Sequence, residues 1–145
     1  MGDRWTLEAF EDDIGRIPFE RYVHVLDDVK AAALEAALEH VLAARGLELV
    51  RTEWLKALGE GLHEFRVRHD KSEIDRMFGD ATGSPGKPAK ILLRVFVHFY
   101  GDKVVLLLGG YDKGRDSGQR RQGREIDEAR RLLRQFRERQ RRLRR

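Results

Sequence analysis

LHEFRVRH (Leu62–His69), ILLRVFVHFY (Ile91–Tyr100) and KVVLLLGGY (Lys103–Tyr111) are three strand-like runs, the first carrying two arginines at alternating positions and the second carrying one. Side chains on a strand alternate faces with a period of two. Arg66 and Arg68 therefore share one face of the first run, with Phe65 and Val67 on the other. In the second run Arg94, Phe96, His98 and Tyr100 share a face, opposite Leu93, Val95, Val97 and Phe99. Gly101-Asp102 joins the second and third runs tightly enough for an antiparallel hairpin. The expectation is a small sheet with one apolar face and one arginine-bearing face, a surface suited to phosphates.

Upstream, RWTLEAF alternates Trp5, Leu7 and Ala9 against Thr6, Glu8 and Phe10, which predicts a short first strand. Pro18 suits a first helical position, and Phe19, Tyr22, Val23 and Leu26 follow at helical spacing. Asp27-Asp28 ends that helix and caps a second, from Val29 to about Arg45, with Leu34, Leu38, Val41 and Leu42 as its stripe. Gly46 is its stop. Leu47 to Gly61 reads as a linker whose Trp54, Leu55 and Leu58 seal an edge of the core.

Asp70 to Lys90 interrupts the sheet as an insertion, and its GDATGSPGKPAK portion has the Gly/Pro/Ser content of a mobile loop. After Tyr111 a second polar loop, GRDSGQRRQG, leads to a basic helix from about Arg124 with Ile126, Ala129, Leu132, Leu133 and Phe136 on one side. The predicted order is β-α-α-β-β-β-α. This is an α+β fold, a mostly antiparallel sheet with helices on one face, in a single domain spanning residues 1–145.

The net charge of +4 hides an asymmetry. Lys113–Arg145 holds 14 Lys/Arg against 5 Asp/Glu, whereas the first 112 residues hold 15 against 20. A basic tail end on an acidic body points to a polyanionic partner, nucleic acid first and an acidic protein second. With no cysteine, disulfides and thiolate metal sites are excluded. Five histidines without clustered spacing, and no carboxylate-rich loop of ligand period, give no expected metal site or cofactor. No apolar run reaches the roughly 18–20 residues of a membrane span, and the start lacks the pattern of a secretory signal. A soluble, cytoplasmic protein without membrane partners is the expectation.

In this order the chain resembles the RelE/HigB-like toxins of bacterial type II toxin–antitoxin systems, especially their phage-derived HigB-like branch. The segments that carry the resemblance are FEDDIGRIPFERYV, LKALGEGLHEFRVRHD, LLRVFVHFYGDKVVLLLGGYDK and REIDEARRLLRQF, which together span nearly the whole chain. The resemblance implies a small α+β toxin that cleaves mRNA, usually on the ribosome. It also implies a cognate helix-turn-helix antitoxin. Lys113 matches a lysine of the family's run after the last strand; the rest of that run is replaced by Gly114-Arg115 and a longer loop. Asp70–Lys90 is an insertion relative to the family.

Metal-free RNA cleavage uses the substrate's own 2′-OH, with a base, cations on the phosphoryl oxygens and an acid for the leaving oxygen. Arg66 and Arg94 are the candidate phosphate-stabilising groups, and Arg68 is a third cation on the same face. All three also fit ordinary solvent-facing strand arginines, paired with Glu64. His98 shares Arg94's face and is either an acid–base group or a strand histidine stacked on Phe96 or Tyr100. His63 and His69 fall on the opposite face. Lys113 fits a cation beside the phosphate. Tyr111 either stacks on a nucleobase or closes the core. Arg115, Arg120, Arg121 and Arg124 are candidate salt-sensitive contacts to an RNA backbone. The leading expectation is a ribosome-dependent endoribonuclease toxin. The alternative, motivated by the altered loop after Tyr111, is an RNA- or ribosome-binding protein of the same fold with impaired catalysis. A DNA-contacting regulator, suggested only by the basic helix, ranks last.

Overall fold

The computed structural model describes residues 3–78 and 89–144. A five-stranded sheet runs in the order β1-β5-β4-β3-β2, with β1 Thr6–Ala9, β2 Leu55–Gly59, β3 Leu62–Val67, β4 Leu93–Tyr100 and β5 Val104–Asp112. Three pairings are antiparallel and only β1 against β5 is parallel. The helices are α1 Pro18–His24, α2 Asp28–Ala37, α3 Ala43–Arg45, α4 Lys71–Met77 and α5 Gln119–Leu143. A π-helical turn, Leu38–Leu42, joins α2 to α3. The α+β class and the mostly antiparallel sheet agree with the expected architecture.

Two elements were not expected. The supposed linker contains β2, an edge strand that forms a hairpin with β3 across Glu60-Gly61. The insertion contains α4, opened by a capping box in which Asp70 accepts from the Glu73 N–H and Glu73 reaches back to Asp70. The part of the insertion expected to form a mobile loop lies largely in residues 79–88, outside the described residues.

Helices do not keep to one face. On one side Phe65, Val67, Leu93, Val95, Val97, Val105 and Leu107 form a core with Tyr22 of α1 and Ala33 and Leu34 of α2. On the other, Leu62, Phe96, Leu106, Leu108 and Tyr111 form a second core with Ala129, Leu132, Leu133 and Phe136 of α5. The physical reason is already in the run Val104–Leu108, which is apolar at every position and must be covered twice. The arginine-bearing face is thus half an apolar face, and α5 lies over it.

Two glycines permit this packing. Gly46 sits at φ +50°, where a Cβ would drive into the Trp5 indole. At Gly110 a Cβ would meet the Arg94 carbonyl oxygen and the Tyr22 ring, so α1 settles on the sheet only because that side chain is missing.

Candidate functional site

Arg66, Arg94 and Tyr111 stand side by side in one row across β3, β4 and β5. Two residues back along β3, Glu64 shares their face and lies between the two arginines. Its Oε1 accepts from Arg66 Nε at 2.9 Å and sits 3.6 Å from Arg94 Nε, an ion pair too long for a hydrogen bond. Glu64 is fully buried and Arg94 is 3% exposed, whereas the Arg66 side chain keeps 21% of its surface.

This cluster is electrostatically tense. Burial holds the Arg94 guanidinium below its ordinary value; Glu64 opposes that effect, while Arg66 and Arg68 add to it. Burial pushes the Tyr111 hydroxyl up, and the Glu64 carboxylate adds to the rise, so the phenol stays protonated at neutral pH. Glu64 Oε2, Arg94 Nε and the Tyr111 hydroxyl are all buried without a hydrogen-bond partner among the described residues. Three orphaned polar atoms in one place are costly unless they serve a ligand, a proton or an ordered water.

The first turns of α5 form the roof. Arg121 lies 5.5 Å from the centre of the Tyr111 ring and is held by Glu125 at 2.8 Å and Asp116 at 3.6 Å. The Tyr111 ring also stacks on Phe96, with centroids 6.2 Å apart. Tyr111 therefore closes the core and carries an unspent hydroxyl. Arg68 emerges, exposed, just past the end of β3. Lys113 follows β5, its N–H still bonded to the Leu92 carbonyl. Arg115 is exposed on the loop, and Arg120 and Arg124 are exposed on α5.

His98 does not join the cluster. It lies four residues from Arg94, about 13 Å along the strand, with Phe96 between them. There it stacks parallel to Tyr100, meets Phe136 edge-on, and binds the Gly61 carbonyl through Nδ1 at 2.8 Å. The stacking reading accounts for this residue. His63, on the opposite face, packs edge-on against Phe99. His69 bonds Glu53 and Glu73.

Glu64 is the residue that strand periodicity undervalued. The alternation Glu-Phe-Arg-Val-Arg already puts its carboxylate on the arginine face. Its full burial between two guanidiniums depends on α5, which the sequence pattern did not place there. No family model, curated protein or solved structure matches this chain. No described helix is long and apolar enough to cross a membrane.

The histidines make stability pH-dependent. Burial holds both His98 and His63 below the ordinary histidine value, so the folded state prefers them neutral. The unfolded chain binds protons first as pH falls through about 6.5, and stability is lost from there downward. Urea denaturation should give a lower midpoint at about pH 5.5 than at about pH 7.5. His98→Phe should flatten part of that slope. A midpoint that does not move with pH contradicts the neutral assignment.

Proposed function

We propose that this chain is the toxin of a type II toxin–antitoxin pair of the RelE/HigB-like kind. It is a metal-independent endoribonuclease that cuts mRNA on the ribosome, needs no cofactor, acts in the cytoplasm, and is restrained by a helix-turn-helix antitoxin. The observation that carries this reading is the Arg66–Arg94–Tyr111 row with Glu64 set between its arginines. Cleavage by the substrate's 2′-OH builds negative charge on the phosphoryl oxygens before the 5′-oxygen leaves. Arg66 is aimed at that task. Glu64 holds its Nε, and its terminal nitrogens form no hydrogen bond among the described residues, leaving their fork for two phosphate oxygens. Arg94, too buried to touch RNA, is a positioning residue that fixes Glu64. The Tyr111 hydroxyl, protonated and as buried as Arg94, does not reach RNA either and packs behind Arg66 as part of the support. Arg68 follows the end of β3, Lys113 and Arg115 follow β5 and Arg121 lies over the Tyr111 ring, adding cations beyond the row, and Arg120 and Arg124 extend the basic surface along α5.

One observation favours the second reading, RNA or ribosome binding without cleavage. Glu64 already engages both guanidiniums and offsets one of their two charges, and His98, the one imidazole sharing their face, stands well away along the strand. Induced expression separates the two. Growth arrest with new 5′ ends mapped on translated transcripts is the outcome expected of the nuclease. Ribosome binding without cut ends selects the binder. Unimpeded growth at full soluble expression sinks the toxin reading altogether.

A further inference from the structure

Arginines of α5 strap the helix to the tip of the β2–β3 hairpin. Gly59, Glu60 and Gly61 all take positive φ there, at +93°, +57° and +83°. The Leu58 and Gly59 carbonyls accept from Arg130 at 2.7 and 3.3 Å, and the Glu60 carbonyl accepts from Arg137 at 2.6 Å. A carbonyl orients a guanidinium without cancelling its charge. The Glu60 carboxylate stands 3.9 Å from Arg130 and is 83% exposed, a pair that solvent weakens.

Arg130 and Arg137 belong to a longer stripe. With Arg134, Arg141 and Arg144 they recur at steps of four and three residues, which keeps all five on one side of the helix over about 21 Å. From Arg130 to Arg144, α5 holds eight arginines and a single acid, Glu138. Arg131 is paired with Glu128 and Arg139 with Asp13. Arg134, Arg141 and Arg144 are exposed and form no ion pair or side-chain hydrogen bond among the described residues. Lys56 extends the stripe toward Arg66. It is exposed and stands opposite Glu64 in the β2–β3 register, on the side of the sheet that α5 covers.

We infer that this stripe is a second track for an RNA strand, bound through its phosphates whatever its sequence. A protein interface would need an apolar centre, where charged groups are depleted. A helix lying on a membrane would need its apolar face outward, whereas Ala129, Leu132, Leu133 and Phe136 of α5 are buried against the sheet. A line of guanidiniums, two of them already oriented by carbonyls, fits a row of phosphates. The choice of RNA as the polyanion rests on the nuclease reading. The five arginines and Lys56 share no residue with the RNA surface assigned above.

The test titrates the full-length protein into fluorescein-labelled 2′-O-methyl dodecauridylate, which has no free 2′-OH to attack, and reads anisotropy between about 50 and 200 mM salt. The triple variant Arg134→Gln/Arg141→Gln/Arg144→Gln should flatten the slope of log affinity against log salt by about 2, from three phosphate contacts at about 0.7 each. The control Arg45→Gln/Arg51→Gln/Arg76→Gln removes the same charge at exposed positions elsewhere and should keep most of the slope. Thermal unfolding verifies that both variants are folded. The inference is overturned if the wild-type protein does not bind the RNA, if the stripe variant keeps the full slope, or if both variants lose it equally. A dodeca-glutamate peptide bound as tightly as the RNA assigns the stripe to an acidic protein and overturns it as well. Cleavage of ribosome-bound transcripts is read separately. RNA binding lost with the stripe in a protein that never cuts ends the nuclease reading alone, and cutting without a contribution from the stripe ends this inference alone.

Discussion

Glu64→Ala should lower the unfolding free energy by about 3–5 kcal/mol, the usual cost of removing one partner of a buried ion pair. The carboxylate is fully buried, and deleting it leaves Arg94 uncompensated between Phe96 and the roof of α5, with Arg66 repelling it from the neighbouring strand. Arg94→Ala should cost a similar amount, because Glu64 then keeps only the half-exposed Arg66. The double variant Glu64→Leu/Arg94→Met should recover most of the loss, since two apolar side chains need no counter-charge. Urea denaturation of the three variants checks this. A Glu64→Ala loss below about 1 kcal/mol would mean that the pair behaves like a surface salt bridge.

That result bears on how much of the molecule its sequence discloses. Period-two reading places Arg66, Arg68 and Arg94 on one face; the register pairs Arg66 directly with Arg94, while Arg68 lies just past the end of β3. The same reading also places Phe96 on that face, and Leu106 and Leu108 join it from β5. An arginine face interrupted by buried aromatics is only partly a solvent face. Three apolar residues on that side demand a cover, and the amphipathic stripe from Ile126 to Phe136 supplies it. β2 is obscure because LKALG has no period-two alternation: it lies at the sheet edge, where both Lys56 and the adjacent Ala57 are exposed. α4 is legible in Asp70 and Glu73, spaced as a capping box, but the Gly- and Pro-rich stretch after it dominates the composition of the segment. Whether Glu64 pairs with Arg66, Arg94 or neither is not a matter of periodicity. It depends on which side chains are denied water, and that is decided by a helix more than 50 residues downstream.

Arg66→Ala should reduce transcript cleavage by about 10²–10³-fold, the range seen when one preorganised donor to a developing oxyanion is removed. Arg66 is the appropriate test because it is the member of the row that is both oriented and accessible. Glu64 fixes its Nε from beneath, and its outer nitrogens are unspent. Arg66→Lys should recover little activity, since a lysine cannot present two parallel donors from a guided plane. The fold should survive both changes, with Arg66→Ala costing about 1–3 kcal/mol, because Arg66 Nε makes the hydrogen bond that the buried Glu64 accepts and Arg94 at 3.6 Å does not replace it. Arg68→Ala should show a smaller kinetic loss and a shallower dependence of RNA affinity on salt, as expected of a cation that attracts the backbone without orientation. Single-turnover cleavage of a ribosome-bound transcript reads the rates, and thermal unfolding confirms that each variant is folded. Undiminished cutting by a folded Arg66→Ala protein would remove phosphate stabilisation from this row. It would leave the buried Glu64–Arg94 pair as a determinant of the fold alone.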